Sequence, residues 1–424
     1  MKIIDFLTRI LWGSKEEREF RRYPYLIEIR PVLEKYKIKE VANDLFREIR
    51  CGRFSKVPHL TLVYSFRILN GNEFEVAKMM KKVISKYDLV KFYYRGIRLK
   101  KGDKGLVVAL DIEPTEELKE LRRELYNALK PTIKSRKDVE KFNENEDFWF
   151  HSTVAYRIPE KKENFLKNNI EQNLRKEFYF PAHVLRVTLL KKGRIVFEYD
   201  IPSKKLLKRK EALSKKVYTQ TLKKYREVLD VEVKSPAPRT DKDVWLISDT
   251  HFDHENIIKY CARPFANVKE MNEILCRNWN GLIAKNSQVY FLGDMSFGRR
   301  SRSSRYWLSR LNGEVRYISG NHEKEIWNEY DTISYNGYDF LLLHDPKDRK
   351  EFPDFDGWVI HGHIHNNNLK RYPFINWKER TVNVCVEVLN YKPLKLEKLV
   401  EILNLRLEEN LETILDVPEL ISKQ

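Results

Sequence analysis

The stretch WLISDTHFDH at residues 245–254 decides the fold of the C-terminal half. An apolar run at residues 244–247 stops at Ser248, and a run of this length predicts a buried strand. Four potential ligands or proton carriers follow within six residues: Asp249, His251, Asp253 and His254. Functional groups in open α/β sheets gather beyond the carboxyl ends of strands, so we expect Asp249 and His251 to face one bound ion.

The same pattern recurs along the C-terminal half. In each case an apolar run is followed by a small or tight residue and then by a metal-capable side chain. The further examples are Asp294 after VYFLG, Asn321 and His322 after VRYISG, His344 after YDFLLL, and His361, His363 and His365 within VIHGHIH. Mixed imidazole and oxygen donors suit manganese, iron, zinc or nickel, and the sequence does not choose among them.

The order DxH, GD, GNHE, H and GHxH resembles the calcineurin-like metallophosphoesterase superfamily. The resemblance covers residues 243–393 and includes the flanking segments ENIIKY, RPF, WN and NVCVEVLNYKP. It implies a four-layer α/β/β/α sandwich that binds two divalent metals, with manganese preferred. One ion is then expected on Asp249, His251, Asp294 and His365, and the other on Asp294, Asn321, His344 and His363.

In this resemblance Asp294 bridges the two ions, and His322 corresponds to the proton donor for the leaving group. Two metals about 3.5–4 Å apart bind a phosphoryl group, activate a water and stabilise both the attacking and the leaving oxygen. His254 and His361 are additional to the motif. We expect each to support a ligand or to face the substrate, with a purely structural role as the alternative.

Two H-x-T motifs mark the N-terminal half, in strand-like segments at residues 57–66 and 147–158. They consist of His59 with Thr61 and of His151 with Thr153. Residues i and i+2 share one face of a strand, so neighbouring strands would direct two imidazoles and two hydroxyls at one phosphate. The alternative is a pair of structural histidines in a sheet.

The motif pair resembles the two-histidine phosphoesterase (2H) family, which includes RNA 2′,5′-ligase-like proteins and cyclic phosphodiesterases. The resemblance covers residues 25–202 and implies a bilobal 2H fold without a metal. One histidine would act as general base and the other as general acid, while the threonines hold phosphate oxygens. The sequence does not assign the two roles.

The pattern of elements predicts a two-domain α+β and α/β chain. We expect a 2H domain at residues 1–203, a basic and partly helical linker at 204–240, a metallophosphoesterase domain at 241–395, and a C-terminal amphipathic helix at 396–424. The helix periodicity itself extends from Leu396 to Ile414. Within the first domain, helices are predicted at three places: residues 38–49, residues 74–84 with Phe74 on the apolar face, and residues 114–129 with Thr115 as the cap.

Composition restricts the partners. The net charge of +18 favours polyanions such as RNA, although a solvated Lys- and Glu-rich surface is an equal alternative from charge alone. The four cysteines lie far apart without a CxxC motif, which fits a reducing cytosol. No apolar run approaches the roughly 20 residues of a membrane span, and the first 20 residues predict a short helix. Monomer and homodimer both remain open.

These features together lead to a hypothesis of bifunctional RNA end processing. The first domain would open a terminal 2′,3′-cyclic phosphate, and the second would remove the resulting monoester. As alternatives, the C-terminal domain is a phosphodiesterase or nuclease, while the N-terminal domain is an RNA 2′,5′-ligase or a non-catalytic RNA-binding module. A related nucleotide, such as a cyclic phosphate of ADP-ribose, could replace RNA as the substrate.

Overall fold

The computed structural model describes residues 22–49, 53–55, 57–102, 104–145, 147–172, 178–232, 243–322, 328–409 and 412–417. The chain divides into two compact units, the first comprising Met1–Lys176 with Pro181–Tyr225 and the second Glu177–Phe180 with Arg226–Gln424. The helix predicted within the first 20 residues lies outside the described residues. None of the described helices is both long enough and apolar enough to span a lipid bilayer.

The first unit is built on one 11-stranded sheet, of order β11-β10-β9-β1-β3-β7-β5-β4-β8, to which β2 adds beside β7 and β6 beside β3. Its strands are β1 (Tyr25–Ile29), β2 (Arg53–Phe54), β3 (Leu60–Ile68), β4 (Lys91–Gly102), β5 (Gly105–Pro114), β6 (Ile133–Ser135), β7 (His151–Ile158), β8 (Phe180–His183), β9 (Arg186–Lys191), β10 (Arg194–Asp200) and β11 (Lys205–Lys208). The two strands that carry the H-x-T motifs, β3 and β7, are therefore neighbours near the middle of the sheet.

Apolar helix faces cover this sheet. The helices are α1 (Lys35–Ile49), α2 (Glu73–Ile84), α3 (Glu116–Leu129), α4 (Lys137–Glu144), α5 (Glu163–Gln172), α6 (Arg209–Ala212) and α7 (Lys215–Val228), with a 3₁₀ turn at Glu160–Lys162. The predicted cap of α3 is confirmed, because the Thr115 hydroxyl accepts a hydrogen bond from the Leu118 N–H at 3.3 Å. In α2 the buried stripe instead runs through Val76, Ala77 and Met80, and Phe74 is 46% exposed.

The stretch 204–240, expected to be a linker, is structured as far as residue 232. Strand β11 pairs with β10 at the edge of the first sheet, where Leu207 is buried. Helix α7 buries Thr221, Leu222 and Tyr225, so its apolar face packs instead of remaining solvated. Residues 233–242 lie outside the described part of the chain.

The second unit contains two sheets. A four-stranded sheet has the order β14-β13-β12-β20, and a six-stranded sheet has the order β15-β16-β17-β19-β18-β21. The strands are β12 (Val244–Ile247), β13 (Gln288–Phe291), β14 (Glu314–Tyr317), β15 (Tyr330–Tyr335), β16 (Tyr338–Leu343), β17 (Trp358–His361), β18 (Ile375–Asn376), β19 (Thr381–Asn383), β20 (Leu394–Lys395) and β21 (Thr413–Ile414). Strands β12, β13 and β14 are parallel, as are β16, β17 and β19.

The helices of the second unit are α8 (Glu255–Tyr260), α9 (Val268–Leu282), α10 (Ser304–Leu308) and α11 (Leu396–Glu409), with a 3₁₀ turn at Pro346–Glu351. The predicted C-terminal helix is shorter than its periodicity suggested. Thr413 and Ile414 form strand β21 beside β18, and the Ile414 side chain is buried there. A buried apolar residue at helical spacing thus belongs to a strand, because both kinds of element bury their apolar face.

Candidate active sites

The register between β3 and β7 places the two H-x-T motifs side by side. Leu60 pairs with Ser152 in antiparallel orientation. Extending that register by one residue in each direction sets Thr61 opposite His151 and His59 opposite Thr153. Because cross-strand partners share a face, all four side chains lie on one side of the sheet.

Both histidines are held in the same tautomer. His59 Nδ1 lies 2.9 Å from the Val57 carbonyl oxygen, and His151 Nδ1 lies 2.9 Å from the Trp149 carbonyl oxygen. A carbonyl can only accept, so each Nδ1 carries the proton and donates it. Each Nε2 is then the atom that can exchange a proton with a bound phosphate ester.

The surroundings of the two histidines differ. The indole of Trp149 stacks on His151 with centroids 3.9 Å apart, and its Nε1–H donates to Asp111 Oδ1 at 2.7 Å. Burial lowers the pKa of His151, and the charges of Lys100 and His59 lower it further. His59 Nε2 lies 3.6 Å from a carboxylate oxygen of Glu28, which is buried and pairs with Arg30.

In the second unit, the structure brings all seven predicted metal-binding side chains together around Asp294. Asp294 Oδ2 lies 3.5 Å from His251 Nε2 and 3.6 Å from His344 Nε2. On one side, Asp249 Oδ1 lies 3.9 Å from His251 Nε2 and 3.7 Å from His365 Nε2. On the other side, Asn321 Oδ1 lies 3.1 Å from His344 Nε2 and 3.0 Å from His363 Nδ1.

This donor set fits two divalent ions. Ligands that bind one ion tetrahedrally at about 2.1 Å lie about 3.4 Å from one another, near the separations found here. Asp249 Oδ1 and His251 Nε2 are buried, and neither has a hydrogen-bond partner among the described residues. Such orphaned buried acceptors are expensive unless a cation binds them. Burial also holds the pKa of His251 well below its usual value, in the neutral form that ligates.

The backbone around the donors is strained. A left-handed φ is adopted by five of the seven donors: Asp249 (57°), His251 (48°), Asp294 (60°), His363 (67°) and His365 (54°). Left-handed backbone is uncommon for residues with a Cβ and concentrates at functional sites. Gly293, directly before Asp294, has a φ of 89°, and a Cβ there would lie 2.6 Å from His344 Nδ1. The small residue before Asp294 is thus required by the close approach of the His344 side chain.

The remaining predicted residues take different positions. His322 Nε2 lies 3.9 Å from Asp294 Oδ2, and its ring lies 4.4 Å from the ring of Phe297 at the margin of the donor cluster. His254 Nδ1 lies 3.4 Å from His251 Nδ1, so it contacts a candidate donor on the ring nitrogen opposite Nε2. His361 is fully buried, its Nδ1 lies 3.0 Å from the Gly362 carbonyl oxygen, and burial lowers its pKa to about 4.

Sequence reasoning did not identify the ion pair that supports His365. Glu387 approaches His365 Nδ1 to 3.1 Å with both carboxylate oxygens, and Arg263 binds Glu387 at 2.7 Å with both side chains fully buried. The Arg263 guanidinium also donates to the carbonyl oxygens of Thr250 and Asp249 at 2.9 and 2.8 Å. Burial opposes ionisation of Glu387, but Arg263 and His365 outweigh it and lower the pKa of Glu387. The signal was present in the flanking segments RPF and NVCVEVLNYKP, which contain these two residues.

We expect Glu387→Gln to weaken metal binding at the Asp249 side of the cluster about 10- to 100-fold, as outer carboxylates that orient a ligating histidine do. The Asn321 side should keep its affinity, since Glu387 contacts only His365 among the seven donors named above. Calorimetric titration of metal-free protein with Mn²⁺ resolves the two sites. Glu379→Gln, an exposed position in the same unit, is the control. Equal weakening at both sites, or at neither, would contradict this role.

Two regions of the chain match known families. Residues 38–195 match the 2′-5′ RNA ligase superfamily, and residues 242–414 match the calcineurin-like phosphoesterases. Among curated proteins, the chain is 50% identical over 163 residues to Uncharacterized protein MJ1445 of Methanocaldococcus jannaschii, an alignment covering 38% of this chain and 92% of that protein. It is 31% identical over 84 residues to the Gene 66 protein of Mycobacterium phage L5, covering 19% of this chain and 40% of that protein.

Two solved structures are among those that match parts of this chain. The protein of unknown function AQ665 from Aquifex aeolicus is 24% identical, with a TM-score of 0.31, and the match covers 38% of this chain and all of that one (100%). E. coli LigT complexed with 3′-AMP is 15% identical, with a TM-score of 0.26, and the match covers 39% of this chain and 86% of that one. By its two family matches, the chain belongs to the 2′-5′ RNA ligase superfamily over residues 38–195 and to the calcineurin-like phosphoesterases over residues 242–414.

Proposed function

We propose that this chain is a bifunctional phosphoesterase that processes RNA ends. The first unit would open a terminal 2′,3′-cyclic phosphate to a 2′-phosphomonoester, and the second would remove that phosphate. The observation that carries the proposal is the presence on one chain of a paired H-x-T face and a donor cluster for two metals. The product of the first chemistry is the substrate of the second, and the net charge of +18 favours a polyanionic substrate.

In the first unit, the difference in surroundings distinguishes the two histidines. We assign the general base to His151, because burial beside Trp149 favours its neutral form. We assign the general acid to His59, the other imidazole of the pair, whose Nε2 lies 3.6 Å from a carboxylate oxygen of Glu28. These assignments extend the sequence reasoning, which left the roles open.

The two histidines and the two threonines of the H-x-T motifs, together with one water, suffice for the proposed ring opening. His151 Nε2 takes a proton from water as the water oxygen bonds to phosphorus. The bond between phosphorus and the ribose 3′ oxygen breaks, and His59 Nε2 gives that oxygen its proton. The hydroxyls of Thr61 and Thr153 donate to the two non-bridging phosphate oxygens. These two hydrogen bonds hold the phosphorus between the imidazoles.

In the second unit, Asp249, His251, His365 and Asp294 would hold one ion, and Asp294, Asn321, His344 and His363 the other. When bound, the two ions, with manganese as our first choice, supply charge for a phosphoryl group and lower the pKa of a water. The chain itself orients His322, whose backbone N–H donates to Asp294 Oδ1 at 3.0 Å. From that position the His322 imidazole is assigned to protonate the departing ribose oxygen.

The expected four-layer α/β/β/α arrangement of the second unit and a cytoplasmic location belong to the same proposal. The two sheets of the second unit would form the two inner β layers of that arrangement. The cytoplasmic location is supported by Cys261, Cys276 and Cys385, which are all free thiols.

The proposal is tested by following one RNA through both steps. With Mn²⁺, an oligoribonucleotide ending in a 2′,3′-cyclic phosphate should pass through a 2′-phosphate intermediate to a terminal diol, with release of inorganic phosphate. Chelation of the metal should stop the second step only, so the 2′-phosphate accumulates. Mass spectrometry of the RNA ends distinguishes the three species. Internal cleavage of the RNA, or a cyclic end that persists throughout, would overturn the proposal.

A further inference from the structure

The exposed face of β4 extends the H-x-T site in one direction. Asp111 pairs with His151 between β5 and β7, and Ala109 pairs with Arg98 and Val107 with Lys100 between β5 and β4. Because paired residues share a face and i and i+2 share a face, Arg98 and Lys100 stand on the same side of the sheet as His151. Both side chains are exposed.

A single aromatic ring connects this basic face to the catalytic histidine. The imidazole of His151 stacks on the Trp149 indole with centroids 3.9 Å apart and 13° between the planes. The ammonium of Lys100 lies 3.9 Å from the centre of the same ring. A stacked imidazole fills one face of the indole, which leaves the other face for the ammonium. The two distances of 3.9 Å place the Lys100 ammonium up to about 8 Å from the centre of the His151 ring, which is far enough for the two groups to face neighbouring phosphates of an RNA strand.

The charges around Trp149 make Lys100 the group available to a ligand. The carboxylate of Asp111 is already used, since it accepts from Trp149 Nε1 and binds both Arg95 and Arg98 at 2.8 Å. Among the described residues, no carboxylate lies within ion-pair distance of Lys100. Its ammonium rests on an aromatic surface and keeps its donors for an anion.

We propose that Lys100, seated on Trp149, forms a second phosphate subsite that binds the internucleotide phosphate adjoining the reacting cyclic phosphate. This inference rests on the proposed ring-opening activity and narrows its substrate to the end of an RNA strand, in place of a free cyclic nucleotide. The subsite contributes to binding of the RNA strand and not to the bond-breaking step. Lys100 contacts Trp149 and neither H-x-T hydroxyl.

The neighbouring residue provides a matched control. Lys101 is adjacent on the same strand but pairs with Leu106, so its side chain belongs to the opposite face of the sheet. There its ammonium binds Glu160 at 2.7 Å. Lys100→Ala and Lys101→Ala therefore remove the same charge from the same strand on opposite faces.

The test compares adenosine 2′,3′-cyclic monophosphate with an oligoribonucleotide ending in the same cyclic phosphate. Both substrates are measured at the same pH for the wild type and for each variant. We expect Lys100→Ala to raise KM for the oligonucleotide about tenfold, as the loss of one charged hydrogen bond does, while leaving kcat and the mononucleotide unchanged. The slope of log KM for the oligonucleotide against log salt concentration should fall by about one, as expected when one fewer counterion is released on binding. Lys101→Ala should match the wild type.

Binding gives the same contrast without turnover. Fluorescence anisotropy of a labelled oligoribonucleotide with a 3′-phosphate measures affinity for the wild type and both variants at low and moderate salt. If no cyclic phosphate is opened, the proposed function fails, and the subsite is still decided by whether Lys100→Ala alone weakens this binding. Equal effects of the two substitutions, or an equal loss for mononucleotide and oligonucleotide, would overturn the subsite.

Discussion

Replacement of Asp294 by asparagine should abolish the metal-dependent activity of the second unit, lowering turnover of p-nitrophenyl phosphate by about three orders of magnitude. One carboxylate oxygen of Asp294 faces His251 at 3.5 Å and His344 at 3.6 Å, so it is placed to bridge the two ions that we propose. An amide oxygen carries no net charge and cannot bridge two cations as effectively. Metal analysis of purified protein should show a fall in bound metal together with the loss of activity.

The control for this prediction is Asp331→Asn. Asp331 lies in the same unit and pairs with the exposed side chain of Arg316 at 3.2 Å, away from the donor cluster. The Asp331→Asn substitution makes the same chemical change, and we expect it to cause no loss of bound metal or activity. On RNA with a cyclic phosphate, Asp294→Asn should accumulate the 2′-phosphate, because the first unit is untouched. Formation of the diol at the wild-type rate would show that the phosphate is removed elsewhere.

Replacement of His151 by glutamine should slow ring opening by about 10²- to 10⁴-fold, the usual contribution of a positioned general base. His59→Gln should have an effect of similar size, and the double variant should lose little more, since acid and base act in one step. The measurement is the rate at which the cyclic phosphate disappears, followed by mass spectrometry of the RNA ends.

The second unit supplies an internal control for these histidine variants. Hydrolysis of p-nitrophenyl phosphate with Mn²⁺ should remain at the wild-type rate in both single variants, which shows that the protein is intact and loaded. A double variant that still opens the ring at the wild-type rate would make the first unit an RNA-binding module. That outcome was one of the alternatives left open by the motifs.

The seven candidate metal donors were predictable because they follow five apolar strands, and the parallel strands of each sheet bring their carboxyl ends to one edge of that sheet. The H-x-T residues were predictable for a similar reason, since their spacing matches the two-residue repeat of a strand. In both cases a short local sequence pattern identifies the residues that we propose to take part in the chemistry. The roles assigned to these residues still await the experiments above.

The supporting residues could not be predicted in this way. Arg263 and Glu387 are 124 residues apart, and each alone is an ordinary charged residue in the sequence. The contacts of Trp149 with His151, Asp111 and Lys100 depend on the register of three strands, which periodicity does not specify. Composition was also misleading at residues 205–208, where two lysines flank the apolar pair of an edge strand.

The antiparallel pairing of the two H-x-T strands determines which sequence changes the first unit can tolerate. Each motif faces the other with one imidazole against one hydroxyl, so insertion of a single residue in either strand would turn a whole motif toward the hydrophobic interior. Loops between these strands are free to lengthen or shorten during evolution. A length change inside either strand would instead move one histidine and one threonine away from the shared face in the same event, so homologues that keep only half of this arrangement should be rare.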